Sequence, residues 1–529
     1  MPESPNLSRR QAIRYLVTGS LGLAALPSGC KTEVAAVPST SDLEGGHGAA
    51  QAWQVRTPAK NHEIEGYASR TSVNRGETLE LFVSTSAHTY TIEIFRLGWY
   101  DGKGAQLMIP AVHRRGKLQR IPEPEPETGL IECQWSDPYL LQVPISSDPS
   151  IWPSGVYLAK LTASKPAAES YIHFVVRDDD RPSDLLFQTS VATYQAYNKW
   201  GGLSLYDKPH ASMVSFNRPY KRGYGSGDFL FWEYSLVRFL EREGYVVTYT
   251  TDVDTHERGH LLTKHKAFLS VGHDEYWSWE MRDNVEAALA QGVHLGFFGA
   301  NIGYWQVRFE PSLATGALNR TMVCYKSQAE QKDPFFHDPD PAKRRRTTTQ
   351  FRRHPVNRPE AAIIGVMYES HQAQGDIVIS DSSSWVFDGT GLAAGDVLPG
   401  LLGYEVDRKF PESPSGTHVF AHSPYFVNDS KRIGEMAYYT APSSATVVAT
   451  GSMQWNWGLD ETFRIHGRKF VSPAAKQMTR NFLARFGAQA AQRTLAAVQS
   501  AVLSEDESAF DPGSPDDAPD EVADDDSRT

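Results

Sequence analysis

The sequence predicts two folded parts in series: an all-β sandwich, then a doubly wound α/β domain built on a parallel sheet. Three observations carry this. From residue 53 to 177, short runs of alternating apolar and polar residues are separated by turn residues, with no helical period of any length. After "RDDDRPSD" (Arg177–Asp184) the rhythm changes to strand, helix, strand, helix. The apolar runs of this second part then stop abruptly in polar side chains, most clearly in "FLSVGHDEYWSWEMRD" (Phe268–Asp283).

The chain begins with "NLSRRQAIRYLVTGSLGLAALPSGC" (Asn6–Cys30), in which Arg9 and Arg10 precede a modest apolar stretch ending in small residues. This reads as a twin-arginine signal over residues 1–30, with export to the periplasm or exterior. Cys30 at its close allows a lipid anchor, hence a membrane tether. Residues 31–52 are poor in aromatics and rich in small residues, which reads as a linker.

In the sandwich (53–177), "TLELFVST", "YTIEIFRLGWY", "YLLQVPI", "GVYLAKLTA" and "SYIHFVVRD" read as strands, and the spacing suits an immunoglobulin-like arrangement. The Gly-rich "LGWYDGKGA" (Leu97–Ala105) reads as a turn whose Trp99 and Tyr100 bind sugar or, more commonly for such residues, pack on a neighbouring domain. In the α/β domain (184–485), "DLLFQTS", "YVVTYTT", "AFLSVG" and "VHLGFFGAN" read as strands. "DFLFWEYSLVRFLEREG" and "SWEMRDNVEAALAQG" read as helices, the first closed by Gly244 and the second capped by Ser278 and Gly292. Farther on, "AAIIGVMYE", "DIVISD", "THVFAHS", "EMAYYTA" and "TVVATGS" look strand-like, and "AAKQMTRNFLARFG" is a final helix.

The formal charge of -11 is concentrated at one end, because Ser504–Thr529 holds eleven Asp or Glu and one Arg. Residues 486–529 therefore read as a disordered acidic tail, and the rest is close to neutral. No basic field exists to draw nucleic acid; the short "KRRR" at Lys343–Arg346 reads as a solvated loop. Three cysteines (Cys30, Cys133, Cys324) make neither a disulfide framework nor a zinc cluster, although they allow one Cys133–Cys324 bridge.

In doubly wound sheets, ligands sit beyond the carboxyl ends of the strands, where strand order reverses. Here the first strand runs into Tyr194, Tyr197, Asn198 and Trp200, the third into His273, Asp274 and Glu275, and the fourth into Asn301, Tyr304 and Trp305. In a flavodoxin-like order these three strands are neighbours, so their ends converge. Imidazole, phenol and carboxylate together suit ferric iron, manganese or zinc. His273 and Glu275 lie two apart, so an extended backbone projects them to one side. A His-Asp-Glu run by itself is more often a solvated loop; the polar clusters at the two neighbouring strand ends favour chemistry.

"FRLGWYDGKGA", "WPSGVYLAKL", "TYQAYNKWGG", "SVGHDEYWSWEMRD", "FGANIGYWQVRF", "MVCYK" and "GSMQWNWGLD" together resemble the large-subunit family of N,N-dimethylformamidase, from about Ile92 to Asp460. The resemblance implies an α/β core like that of class I glutamine amidotransferases beside a β-sandwich. It also implies hydrolysis of a small amide at a mononuclear iron, ferric to suit its phenolate ligands, held by two tyrosines and a glutamate, with a His, an Asn and a Lys nearby. Carried over by motif, the glutamate is Glu275, the histidine His273, the asparagine Asn301 and the lysine Lys326. Tyr194 is the better match for one tyrosine and Tyr197 the other candidate, while the second tyrosine ligand stays unassigned. The expected function is an exported amidohydrolase in which Glu275 and Tyr194 bind metal. His273 acts as base or orienter, and Asn301 and Lys326 stabilise the oxyanion. A homo-oligomer or a small accessory subunit is compatible with it. The alternative is a non-catalytic cell-surface glycan-binding or scaffold protein on the same fold.

Overall fold

The computed structural model describes residues 52–490 apart from 147, 149 and 466. The expected signal segment with Cys30, the expected linker up to residue 51 and the expected acidic tail from residue 491 on lie outside the described residues. The first residues assigned to that tail are ordered instead, with Phe486 and Ala488 buried in the core. Nine strands open the described chain: β1 (Ile64–Ala68), β2 (Ser72–Asn74), β3 (Thr78–Thr85), β4 (Thr89–Leu97), β5 (Ala105–Arg115), β6 (Tyr139–Gln142), β7 (Gly155–Ser164), β8 (Ala167–Arg177) and β9 (Leu185–Thr189). The first eight form a three-stranded sheet, β1-β3-β6, and a five-stranded sheet, β2-β8-β7-β4-β5. Ile64, Leu79, Leu81 and Leu141 of the smaller sheet pack with Ile92, Ile94, Leu161, Phe174 and Val176 of the larger, so the two sheets make a sandwich.

The other face of the larger sheet is buried as well. Phe95, Leu97, Val156, Leu158, Tyr171 and Val175 belong to the core of the α/β part. Period-two alternation sends neighbouring residues to opposite faces, and both faces here are apolar, which accounts for the nearly unbroken apolar run in β7. Charged pairs pin the seam: Arg96 lies 2.6 Å from Glu241 and Arg177 3.0 Å from Asp254. Trp99 is buried beneath Arg238, 4.9 Å away, so the Gly-rich turn packs on a neighbouring element as expected of such residues.

Beyond β9 come β10 (Met213–Ser215), β11 (Val247–Thr251), β12 (Ala267–Gly272), β13 (Tyr276–Ser278), β14 (His294–Gly299), β15 (Trp305–Glu310) and β16 (Thr321–Val323). They are followed by β17 (Met367–Val378), β18 (Val397–Arg408), β19 (His418–Val427), β20 (Ser430–Thr440) and β21 (Thr446–Ala449). The central sheet runs β11-β9-β12-β14-β21-β20-β19. Its first five members are mutually parallel, and β20 and β19 add antiparallel at one edge. The order reverses between β9 and β12, the position at which such sheets bind ligands.

The helices are largely those the sequence signals. Ser278 caps Trp279–Ala290 by accepting the Met281 N–H at 3.0 Å, and Gly244 closes Tyr234–Glu243 at φ 82°. One expectation is corrected: "AAIIG" is not strand but a one-turn helix, Ala361–Ile364, ended by Gly365 at φ 89°. A four-residue apolar run carries no usable period, and its burial against the core suits either state. "GSMQWNWGLD" folds as a 3-10 helix, Met453–Leu459, whose Trp455 and Trp457 are core residues. No described helix is long and apolar enough to cross a membrane. Cys133 and Cys324 are buried and free.

Candidate functional site

The site starts where β12 ends. Gly272 has φ 74°, and a Cβ on Gly299, at the end of the adjacent β14, would lie 2.0 Å from the Gly272 carbonyl oxygen. Only glycines allow the two strand ends to close up in this way. The chain leaves them as an extended His273-Asp274-Glu275, all three buried. His273 and Glu275 emerge on one side, as the spacing predicts, with His273 Nε2 3.3 Å from Glu275 Oε2. Asp274 turns to the other side and accepts from Gln188 Nε2 at 2.7 Å and Ser270 Oγ at 2.6 Å.

Phenols converge on the Glu275 carboxylate. Tyr197 Oη donates to Glu275 Oε2 at 2.8 Å, and Tyr206 Oη lies 3.3 and 3.2 Å from its two oxygens. Tyr206 Oη is also 2.7 Å from Tyr197 Oη and 2.5 Å from Tyr276 Oη. Tyr197 and Tyr206 stack with ring centroids 4.2 Å apart. The helix Val191–Ala196 after β9 carries Tyr197 at its C-terminus, and β13 carries Tyr276. Lys326, just after β16, lays its ammonium 3.1 Å from the centroid of the Tyr206 ring.

The electrostatics follow from these contacts. Burial pushes the Glu275 carboxyl up, but the hydrogen bond and charge of His273, the charge of Lys326 and the Tyr197 bond hold it below the usual carboxylate range. Burial pushes the His273 imidazole down, but Glu405, 3.0 Å from Nε2, and Glu275 hold it well above the ordinary histidine value. The two carboxylates thus favour the charged form of the His273 imidazole.

The predicted residues divide. Glu275, His273, Tyr197 and Lys326 come together. Asn301, after β14, is buried at φ 57°; its backbone N–H donates to Asp407 Oδ1 at 2.8 Å, and among the described residues its Oδ1 has no protein partner. Its loop wraps the site's backbone, with Trp305 N–H donating to the Glu275 carbonyl at 3.0 Å. Tyr194 is placed otherwise: its hydroxyl donates to Glu233 through a short hydrogen bond, not to Glu275. One helical turn separates the two tyrosines, which is too little for sequence reading to choose between them.

Four residues near Glu275 and His273 were not legible. Tyr206 lies in an irregular loop, Tyr276 reads as the aromatic after the motif, and Glu405 and Asp407 sit in a strand far along the chain. Alternation within β18 at "YEVDR" was the one available signal, since it puts Glu405 and Asp407 on one face.

Among the described residues no group of three or more His, Cys, Asp or Glu side chains has metal-holding geometry. Any cation held here must draw on phenol oxygens. One carboxylate and three phenol oxygens linked through Tyr206 in one hydrogen-bonded group are a hard-oxygen donor set, and this fits a hard cation such as ferric iron.

Fold and site together define an α/β protein with a carboxylate-and-phenol centre at the reversal point of its parallel sheet. A family profile described as N,N-dimethylformamidase beta subunit-like, C-terminal, matches residues 91–469, and the chain belongs to that family. It is 30% identical over 122 residues to the N,N-dimethylformamidase beta subunits of Alcaligenes sp and of Paracoccus aminophilus. Each match covers 21% of this chain and only 16% of the relative's length. Among solved structures, the Pseudomonas fluorescens alkylpurine DNA glycosylase AlkC bound to abasic-site DNA aligns at 12% identity over 22% of this chain and 30% of that one, with a TM-score of 0.14, too low to bear on the fold.

Proposed function

We propose that the chain is an exported, metal-dependent hydrolase of a small linear amide, working at Glu275. Family membership supports the amide-hydrolase class, and the convergence of Tyr197 and Tyr206 on the Glu275 carboxylate, with Tyr276 bonded to Tyr206, carries the reading. Glu275, Tyr197 and Tyr206 would hold a mononuclear iron, and Tyr194, whose hydroxyl donates to Glu233, would not. When bound, such an ion supplies Lewis-acid polarisation of a carbonyl or an acidified water. His273, kept protonated by Glu405, holds its Nε2 proton ready for a departing amine nitrogen. Asn301 and Lys326 offer an amide and a positive charge to a developing oxyanion. The order β11-β9-β12-β14-β21 supports a flavodoxin- or amidotransferase-like core, and the "beta subunit" in the relatives' names supports a partner subunit or an oligomer.

Metal analysis of protein purified without chelators tests this. Iron should be present and should be lost in Glu275→Gln and Tyr197→Phe, with amide hydrolysis falling about 100-fold or more. Tyr194→Phe should keep its iron, because that hydroxyl belongs to Glu233. A protein that is metal-free and indifferent to the first two substitutions returns the glycan-binding or scaffold reading.

A further inference from the structure

Seven arginines are buried among the described residues. Five of them pair with carboxylates: Arg96 with Glu241, Arg177 with Asp254, Arg238 with Asp460, Arg282 with Glu286 and Arg308 with Asp333. The other two, Arg218 and Arg320, form no ion pair with any described carboxylate, and both line the same cavity. A buried charge without a counter-charge is expensive, and buried charges are almost always paired. Two such exceptions at one cavity call for a common cause.

Both side chains are held by neutral oxygens. Arg218 donates to the carbonyls of Asn198, Trp200 and Leu203 and to Gln195 Oε1, at 3.0 to 3.2 Å. Arg320 donates from Nε to Asn217 Oδ1 at 2.8 Å and from Nη2 to the Ala68 and Phe216 carbonyls at 2.9 and 2.8 Å, while its Nη1 donates to no described protein atom. Burial lowers both guanidiniums to about 10, a sign that they lack compensation. His173 lines the cavity too; it is 5% exposed, and its Nε2 has no partner among the described residues. Ala68, Ile172, Val191 and Phe216 complete an apolar wall, and exposed Arg70 gives a cationic approach. The cavity measures about 20 Å³, room for one small body and too little for a tetrahedral oxyanion.

We propose that this cavity, between the sandwich and the α/β part, is a binding site for a monatomic halide, chloride being the abundant one, held by Arg320 and Arg218 with His173 Nε2–H as a third donor. A halide supplies the missing negative charge, fits the volume, and tolerates apolar walls because it is weakly hydrated. Arg218 also grips the segment between Tyr197 and Tyr206, so an occupied site braces the loop that carries both phenols. The site is independent of the amide-hydrolase reading, and its test uses no activity.

The test is thermal melting of the purified chain in sodium chloride or bromide against sodium gluconate at constant ionic strength, together with bromide anomalous diffraction. The expected results are a saturable rise of about 2 °C in halide and a bromide peak within contact distance of Arg320 Nη1 and His173 Nε2. Arg320→Gln should abolish the difference between halide and gluconate. If that variant does not fold, the wild-type titration and the bromide map decide alone. Equal melting in halide and gluconate, or a cavity without bromide, overturns the site.

Discussion

Asp407 shows how much one strand residue does for the site. It stands two residues after Glu405 on β18 and accepts the Asn301 N–H at 2.8 Å, holding that residue in a left-handed conformation that an asparagine tolerates. Burial is the largest influence on its carboxyl; the Asn301 bond opposes it and Glu405 adds to it, leaving the group at about 7. An acid raised in the folded state binds its proton more tightly there than in the unfolded chain. Its effect is stabilising at low pH and is lost as pH climbs from about 4 to about 7, levelling off above that. Asp407→Asn keeps the acceptor and removes the titration. Between pH 4 and 8, denaturant unfolding should show the variant gaining on the wild type by up to about 4 kcal/mol. Parallel stability curves would refute this. Glu275, His273 and Asn301 were legible because each sits in a motif at a strand end, and Lys326 only through the family resemblance. Tyr206 and Glu405 were not, since nothing local in an irregular loop or a late strand says what it faces.

At the scale of elements, the site depends on how closely β12 and β14 finish side by side. A methyl group at Gly299 would collide with the backbone of Gly272 at 2.0 Å, where no flexible side chain can give way. Gly299→Ala should therefore destabilise the protein by about 1–3 kcal/mol or more, and it should displace the His273–Glu275 segment and lower metal content. Unfolding midpoints and metal analysis check this; wild-type stability in the variant would mean that the strand ends are looser than described. The strands themselves were readable from apolar runs bounded by turn residues, and Ser278 and Gly244 marked helix ends correctly. The short Ala361–Ile364 helix was misread because four apolar residues fit strand and helix equally well.

At the scale of the molecule, the five-stranded sheet is a shared layer, with one face in the sandwich core and the other in the α/β core. Neither part buries its apolar surface alone, so the chain has to complete both before either is stable. That requirement suits an export route that carries folded cargo, which Arg9 and Arg10 in "LSRRQAI" point to. A reporter fused to residues 1–30 should reach the periplasm only through the twin-arginine route, and replacing both arginines by lysine should retain it in the cytoplasm. Fractionation and protease protection read the outcome; unchanged export of the lysine variant would sink the localisation.

By itself the sequence determined the two-part order, the parallel strands and the chemistry-bearing residues at their ends, because alternation, helix caps and abrupt polar stops are local properties of the chain. It also determined that His273 and Glu275 share a side, since two residues of extended backbone fix that. Only the tertiary structure decided which tyrosine meets Glu275, since Tyr194 and Tyr197 differ by one helical turn and Glu233 captures the first. It alone brought Tyr206, Lys326 and Glu405 to the same place, and left Arg218 and Arg320 at one cavity without an ion-pair partner among the described residues. Those meetings depend on how separate elements pack, and no spacing along the chain encodes them.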